Sequence, residues 1–300
     1  MAKELAHHIK QDRSSAIFNA FVICFLLLLC LVILYPLWYV LIASFSDPMY
    51  VNSGCFLLYP IHASLDGYQK IISYSPLWMG YLNTIYYTVV GTAVALVLTI
   101  PAAYALSRDD MPGRRGIMFL FSFTMFFSGG IIPMFLLIKQ LKIYDTVWAV
   151  VLPVGISVWN LIVCRSFFES NIPKELLEAA RLDGTNDFGF FFRIVLPLSP
   201  TIITVMILFY ATAQWNSFMN PLMYLQDIKK MPLQVILRNL VLAAQISNMV
   251  GDANEAAELA KMAEQLKYGI ITVSALPLLL IYPFLQNYFV KGVSVGAVKG

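Results

Sequence analysis

Long apolar stretches alternate along this chain with short polar breaks, and the breaks carry nearly all of its charge. Six stretches are long enough to cross about 30 Å of hydrocarbon as helices. They run Ile17–Ser44, Leu77–Leu106, Ile117–Ile138, Val147–Cys164, Leu198–Leu225 and Tyr268–Val290, and none contains Asp, Glu, Lys, Arg or His. Lys10 and Arg13 precede the first stretch, as in a secretory signal. However, it is too long for a signal core and is followed by Pro36-Leu37-Trp38-Tyr39 rather than small cleavage-site residues. A retained first span is expected. Trp38, Tyr39 and Trp148 lie near span ends, where aromatic side chains anchor at the interface.

The polar breaks orient the spans. Lys3, Lys10 and Arg13 precede the first; Arg108, Arg114 and Arg115 follow the second; Arg165, Lys174, Arg181 and Arg193 follow the fourth; Lys291 and Lys299 follow the last. The intervening loops are poorer in basic residues, with Lys70 in one and Lys139 and Lys142 in another. Excess Lys and Arg marks the cytoplasmic side, so both termini are expected there. The resulting organisation is a tail over 1–16, a first transmembrane helix over 17–44, a transmembrane domain over 77–290, a cytoplasmic loop over 165–197 and a tail over 291–300.

Within the 165–197 loop the residues predict a compact knob. Pro173 suits a first helical turn, where its missing N–H costs nothing. Glu175, Leu176, Leu177, Glu178, Ala179, Ala180 and Arg181 are good helix formers, with the acidic residues toward the favourable N-terminal end. Gly184 suits the left-handed position that ends a helix, and a second short helix is expected from Thr185 or Asn186 through Arg193. Ala179 and Ala180 lack bulk and would admit a partner closely. Leu176, Leu177 and Leu182 would add apolar contacts, and Glu178 and Arg181 would pair with charges on the partner.

Composition agrees with a membrane protein. Of 300 residues, 59% are hydrophobic and 12% charged, with mean hydropathy +0.74, about half the charged fraction of a soluble domain. The net charge of +3 sits at span flanks, which leaves nucleic-acid binding without support. Cys24, Cys30 and Cys164 fall in apolar runs, and His7, His8 and His62 lie outside them, so neither a disulfide framework nor a metal site is expected. Spans without ionisable groups argue against a proton- or ion-coupled carrier, a stand-alone channel and an intramembrane enzyme. The chain has no GxxxxGK[ST] phosphate loop. Energy for moving a solute would therefore enter from another polypeptide, and the knob is where that polypeptide would push.

The loop also carries a recognisable spacing: Glu178-Ala179-Ala180, three residues, Gly184, nine residues, then Ile194, Leu196 and Pro197. In this the chain resembles permease subunits of bacterial ATP-binding-cassette (ABC) importers, in the carbohydrate branch. It is similar to the smaller permease of the maltose system and to lipoprotein-C-like sugar permeases. Ser128-Gly129-Gly130-Ile131-Ile132-Pro133, Asp145-Thr146-Val147-Trp148-Ala149, Gln214-Trp215-Asn216 and the terminal segment from Phe289 extend the likeness. The resemblance implies an all-α membrane protein with six transmembrane helices and the type I ABC importer permease fold, its cytoplasmic EAA helix coupling to a motor. It assigns coupling to Glu178, Ala179, Ala180, Gly184, Ile194, Leu196 and Pro197, to which the charge of Arg181 on the same helix is added as a candidate. It implies a second homologous permease subunit, two cytoplasmic ATPase subunits that bind ATP and Mg, and an extracytoplasmic solute-binding protein. This chain would have no ATPase site and no cofactor of its own.

A sugar offers C–H surface and many hydroxyls, which aromatic faces and amides match. Tyr210, Gln214, Trp215, Asn216 and Asn220 form such a set in the fifth stretch and are candidates for the solute pathway, with helix packing the alternative. Asn83, Trp159 and Asn160 are weaker candidates. Residues 253–267 predict an Ala/Glu/Lys-rich outer helix that would meet the binding protein, with a solvated capping helix the alternative; by the same resemblance the basic terminal tail would reach the ATPases, with a frayed tail the alternative. An ABC importer of a non-sugar solute remains the alternative reading, with a stand-alone secondary transporter behind it.

Overall fold

The computed structural model describes residues 13–47, 50–51, 58–249, 266–277 and 279–280, and all regular structure among them is helical. They divide into two compact units. The first holds α1 (Arg13–Phe45), α2 (Asp66–Ser73) and the start of a helix over 266–277. The second runs through α3 (Ser75–Ser107), α4 (Arg114–Phe126), α5 (Ile131–Gln140), α6 (Val147–Val151), α7 (Val158–Asn171), α8 (Lys174–Leu182), α9 (Asp187–Phe190), α10 (Pro200–Trp215), α11 (Met219–Tyr224) and the first part of α12 (Leu233–Met249).

In the first unit α1 exposes apolar side chains all along Ile17–Leu37, as a helix solvated by lipid does. Its C-terminal end is packed instead: Ile42 and Ala43 bury with Val51 against Tyr39, Ile61 and Tyr268. Ser44 shares a 2.7 Å hydrogen bond with Tyr68 of α2.

The second unit is built around α3, which packs along α10 and α7. Ala95, Ile100, Ala103 and Tyr104 of α3 bury against Leu161, Cys164 and Phe168 of α7, and against Ile202, Met206 and Tyr210 of α10. Pro101 lies inside α3. Small residues on α3 let its neighbours approach, which matters in a bundle where lipid is as apolar as leucine.

Two of the six expected spans, α1 and α3, are single long helices. The third and fourth stretches are bent pairs rather than the straight helices read from hydropathy: α4 and α5 meet at 117°, and the 147–154 segment and α7 at 53°; the fifth opens at a bend of 82° between the 187–198 segment, nearly all of it in the expected loop, and α10. Each break has a local cause. Gly130 adopts φ +85, Pro153 and Gly155 precede α7, and Ser199-Pro200 separates the last pair. The fourth stretch also continues as helix beyond Cys164 to Asn171, so the start of the expected 165–197 loop is helical. The fifth breaks after Trp215, before α11. Of the sixth, only 268–277 and 279–280 lie among the described residues. The expected 253–267 helix lies outside them except for its last two positions, and the terminal tail lies wholly outside.

A polar hub closes the far end of this unit from the 165–197 loop. Asp145, at φ +58, accepts from the backbone N–H of Gln226 and Asp227, at 2.9 and 3.3 Å, and from Lys230 Nζ at 2.6 Å. Asn83 and Tyr87 of α3 donate to the carbonyls of Lys229, Met231 and Lys230. The Lys230 ammonium beside it holds the Asp145 carboxyl below the usual carboxylate range. Asn83, a weak solute candidate from sequence, is here a loop anchor.

Candidate functional site

The expected helix–glycine–helix knob is present, and its termination follows from sequence in detail. Pro173 precedes α8 with extended backbone, Glu175 lies in the first turn and Arg181 in the last. Gly184 adopts φ +75. The Thr185 N–H bonds the Ala180 carbonyl at 2.8 Å and the Gly184 N–H bonds the Arg181 carbonyl at 3.1 Å, the double closure of a Schellman motif. One residue later Asn186 caps α9, its Oδ1 accepting the Gly189 N–H at 2.7 Å. The chain then widens into a π turn over Phe191–Val195 and passes through Leu196–Leu198 to the Ser199 break. The second short helix is therefore real, but it is π-wound in the middle, and Pro197 lies inside its last turn rather than at the start of the next span.

The knob has two faces. Ala180, Phe190, Phe191 and Val195 are buried against Tyr104 and Phe168, with Leu177, Ile194 and Leu196 packed partly against the same cluster. Leu182 is 90% exposed and Phe188 77%, and Glu178, Ala179 and Pro197 are also exposed. This corrects the expectation for Ala180. Its small side chain admits the chain's own core, and Ala179 supplies the open face.

Arg181 is likewise committed within the chain rather than free for a partner. The turn after α3 carries Asp109 and Asp110, which sequence reasoning passed over. Arg181 pairs with Asp110 at 2.7 Å and with Asp187 at 3.6 Å. Arg108, whose side chain is only 13% exposed, bonds Asp110 through Nε and Nη2 at 2.8 and 2.6 Å and Asp187 at 2.8 Å. Asp109 bonds Arg114 at 2.7 Å and also pairs with Lys174. A cavity of about 390 Å³ lies between this turn, the end of α7 and α8, with Glu178 on its wall. The only sequence signal was an acidic doublet in an otherwise arginine-rich break.

These pairs shift the titration of their members. Hydrogen bonds from Arg108, opposed by burial and aided by Arg181, hold the Asp110 carboxyl well below the usual range. Arg108 does the same for Asp187, and Lys174 for Asp109. Arg108 and Arg181 are raised mainly by Asp110, and Lys174 by Asp109. Carboxyls lowered by folding contribute stability above their unfolded values near pH 4, lost as pH falls through the lower folded values. Raised cations contribute below their unfolded values, near pH 10 and higher, and that share is lost only in strong base. The thermal midpoint of detergent-solubilised protein should therefore show no change from these groups between about pH 5 and 9, then fall in acid. The acid fall should be shallower in Asp110→Asn.

The residues expected along the solute pathway do not gather in one place. Tyr210 is buried, sharing a 2.6 Å hydrogen bond with Thr99 and accepting the Ser157 N–H at 3.1 Å; it ties α10 to α3 and to the start of α7. Gln214 is buried against Gly91, and a Cβ there would lie 2.5 Å from its Nε2 and 2.9 Å from its Cγ. Among the described residues its Oε1 has no hydrogen-bond partner, nor have Trp215 Nε1 or the Thr88 and Thr92 hydroxyls. Trp215 packs edge-on to Tyr81. Asn216 is exposed and bonds the Thr212 carbonyl. Asn220 borders a separate cavity of about 570 Å³, with Ser128, Gly129, Gly130 and Met219 among its lining. Asn160 is buried and Trp159 exposed.

A family model described as "Binding-protein-dependent transport system inner membrane component" matches residues 75–295. The chain belongs to this family. It has the type I ABC importer permease fold and is the membrane-embedded transport subunit of a binding-protein-dependent system. The permease is 44% identical over 285 residues to the polygalacturonan/rhamnogalacturonan transport system permease protein YtcP of Bacillus subtilis (strain 168), covering 95% of this chain and 99% of that one. It is 36% identical over 295 residues to Protein LplC of the same strain, covering 98% and 99%. A solved bacterial ABC transporter involved in the import of the acidic polysaccharide alginate superposes with a TM-score of 0.83 at 31% identity, over 93% of this chain and 98% of its own.

Proposed function

We propose that this permease forms half of a heterodimeric pathway that imports an oligosaccharide delivered by an extracytoplasmic binding protein. Two ATPase subunits, which bind ATP and Mg, hydrolyse the nucleotide. Both termini and the knob face the cytoplasm. The observation that carries this reading is the knob itself: a buried face welded to the span core by Ala180 and Phe190, and an exposed face of Ala179, Leu182 and Phe188. A partner gripping the exposed face moves the buried one. Glu178, Gly184, Ile194, Leu196 and Pro197 serve this coupling by shaping the knob. ATP-driven closure of the ATPase pair would swing it between two states.

The carbohydrate cargo is supported by the relatives, one named for polygalacturonan and rhamnogalacturonan, another solved as an alginate importer. Tyr210, Gln214 and Trp215 contribute polar surface to the pathway when the α3–α10 contact opens, with the exposed Asn216 and, on its separate cavity, Asn220 extending it. The test is uptake into proteoliposomes holding both permeases, the ATPases and the binding protein. The panel comprises oligogalacturonates, alginate fragments, arabino-oligosaccharides and malto-oligosaccharides. We expect ATP-dependent accumulation of at least one member and none without the ATPases. Accumulation by the purified permease alone would overturn the mechanism, and inertness toward the whole panel would overturn the cargo.

A further inference from the structure

The turn joining α3 to α4 carries an ion-pair arrangement that the coupling motif does not contain. Asp109 and Asp110 are adjacent, yet they hold opposite ends of α8: Asp109 pairs with Lys174 in its first turn and Asp110 with Arg181 in its last. Those two ends are about 10 Å apart at 1.5 Å of rise per residue. A helix held at one point can pivot, whereas one held at both ends keeps its direction.

The turn that holds it is itself braced. Arg108 caps α3 with its N–H on the Ala105 carbonyl, grips Asp110 with two hydrogen bonds and lies over the Tyr104 ring. Ser107 Oγ bonds the Tyr104 carbonyl at 2.6 Å, and Arg114 reaches both Asp109 and the Ser107 carbonyl. Arg108 also binds Asp187 in the first turn of α9. The end of α3, α8 and α9 thus share one charge network.

Apolar contact beneath α8 resists compression but is non-directional, so it permits sliding. Charge-assisted hydrogen bonds are directional and resist it. The outer members, Lys174 and Arg181, are 79% and 50% exposed, and exposed pairs add little to stability. Their value lies in orientation.

We propose that Asp109 and Asp110 are positioning residues: a two-point bracket that fixes the direction of α8 relative to α3, so that displacement of the coupling helix becomes movement of the span. This rests on the reading of α8 as the helix gripped by the ATPases.

The test uses the complete importer in proteoliposomes, with its binding protein and an oligogalacturonate mixture as probe, and reads solute moved per ATP hydrolysed. Lys174→Gln leaves Asp109 paired with Arg114, so copurification of the ATPase subunits should persist. The transport-to-hydrolysis ratio should fall roughly three- to tenfold, the range expected for a coupling contact. Asp109→Asn, which also releases Arg114, should fall at least as far, the double variant should be no worse than Asp109→Asn alone, and Lys174→Arg should restore the ratio. Raised ionic strength should lower the wild-type ratio toward that of Lys174→Gln, because the pair is exposed. A variant ratio equal to wild type, or loss of ATPase copurification in Lys174→Gln, overturns the bracket. If liganded binding protein fails to stimulate hydrolysis in the wild-type complex, the coupling reading itself falls.

Discussion

Gly184→Val in the assembled importer is expected to reduce uptake roughly tenfold or more while leaving membrane insertion intact, since each 1.4 kcal/mol is a factor of ten. Gly184 sits at φ +75, with nothing among the described residues near the position of an added Cβ. The penalty is therefore conformational, not a clash. A left-handed backbone costs an L-residue about 1–2 kcal/mol, and a β-branched one is least tolerant of it. Relaxing to a right-handed conformation would break both closing hydrogen bonds to Ala180 and Arg181 and re-aim Asn186, which caps the following helix. The two short helices would lose their fixed angle. Gly184→Asn should be milder, because asparagine tolerates the left-handed region. Paired measurements of uptake and ATPase copurification check the result; wild-type uptake in Gly184→Val would remove the knob's geometry from the mechanism.

The second large effect lies in the membrane, at Gly91. An added methyl would meet three atoms of the buried Gln214 side chain inside van der Waals distance, and overpacking of this kind costs about 1–3 kcal/mol. Gly91→Ala should lower both the thermal midpoint and uptake, and Gln214→Ala should rescue the midpoint by vacating the space. The same pair separates packing from recognition. If Gln214 only fills the seam, the double variant regains uptake. If its unpaired Oε1 meets the solute, Gln214→Ala alone loses uptake with little loss of stability, and the double variant stays inactive.

Much of this molecule was legible because its signals are local. Pro173 and Gly184 bracket a run of helix formers, and α8 occupies the interval between them. The second stretch lacks breaks sharp enough to stop a helix, and α3 runs through Pro101 without ending. Hydropathy sums composition and is blind to direction, so the bends at Gly130, Gly155 and Ser199 escaped it although each carries its own turn residue. The charge network was hidden for another reason. Asp109 and Asp110 read as ordinary loop acids until folding brings Lys174 and Arg181 to them and Asp187 to the Arg108 they share the turn with. Tyr210 was open to two readings in the sequence for a chemical reason: a phenol suits a sugar, but it equally suits Thr99 and the Ser157 N–H, the helix packing held as the alternative.

The pairing of one short turn with both ends of α8 bears on engineering. A chimera that grafts α8 alone onto a foreign permease, to recruit a different motor, would carry lysine and arginine without their aspartates and arrive askew. Residues 108–114 would have to be transplanted as part of the same cassette.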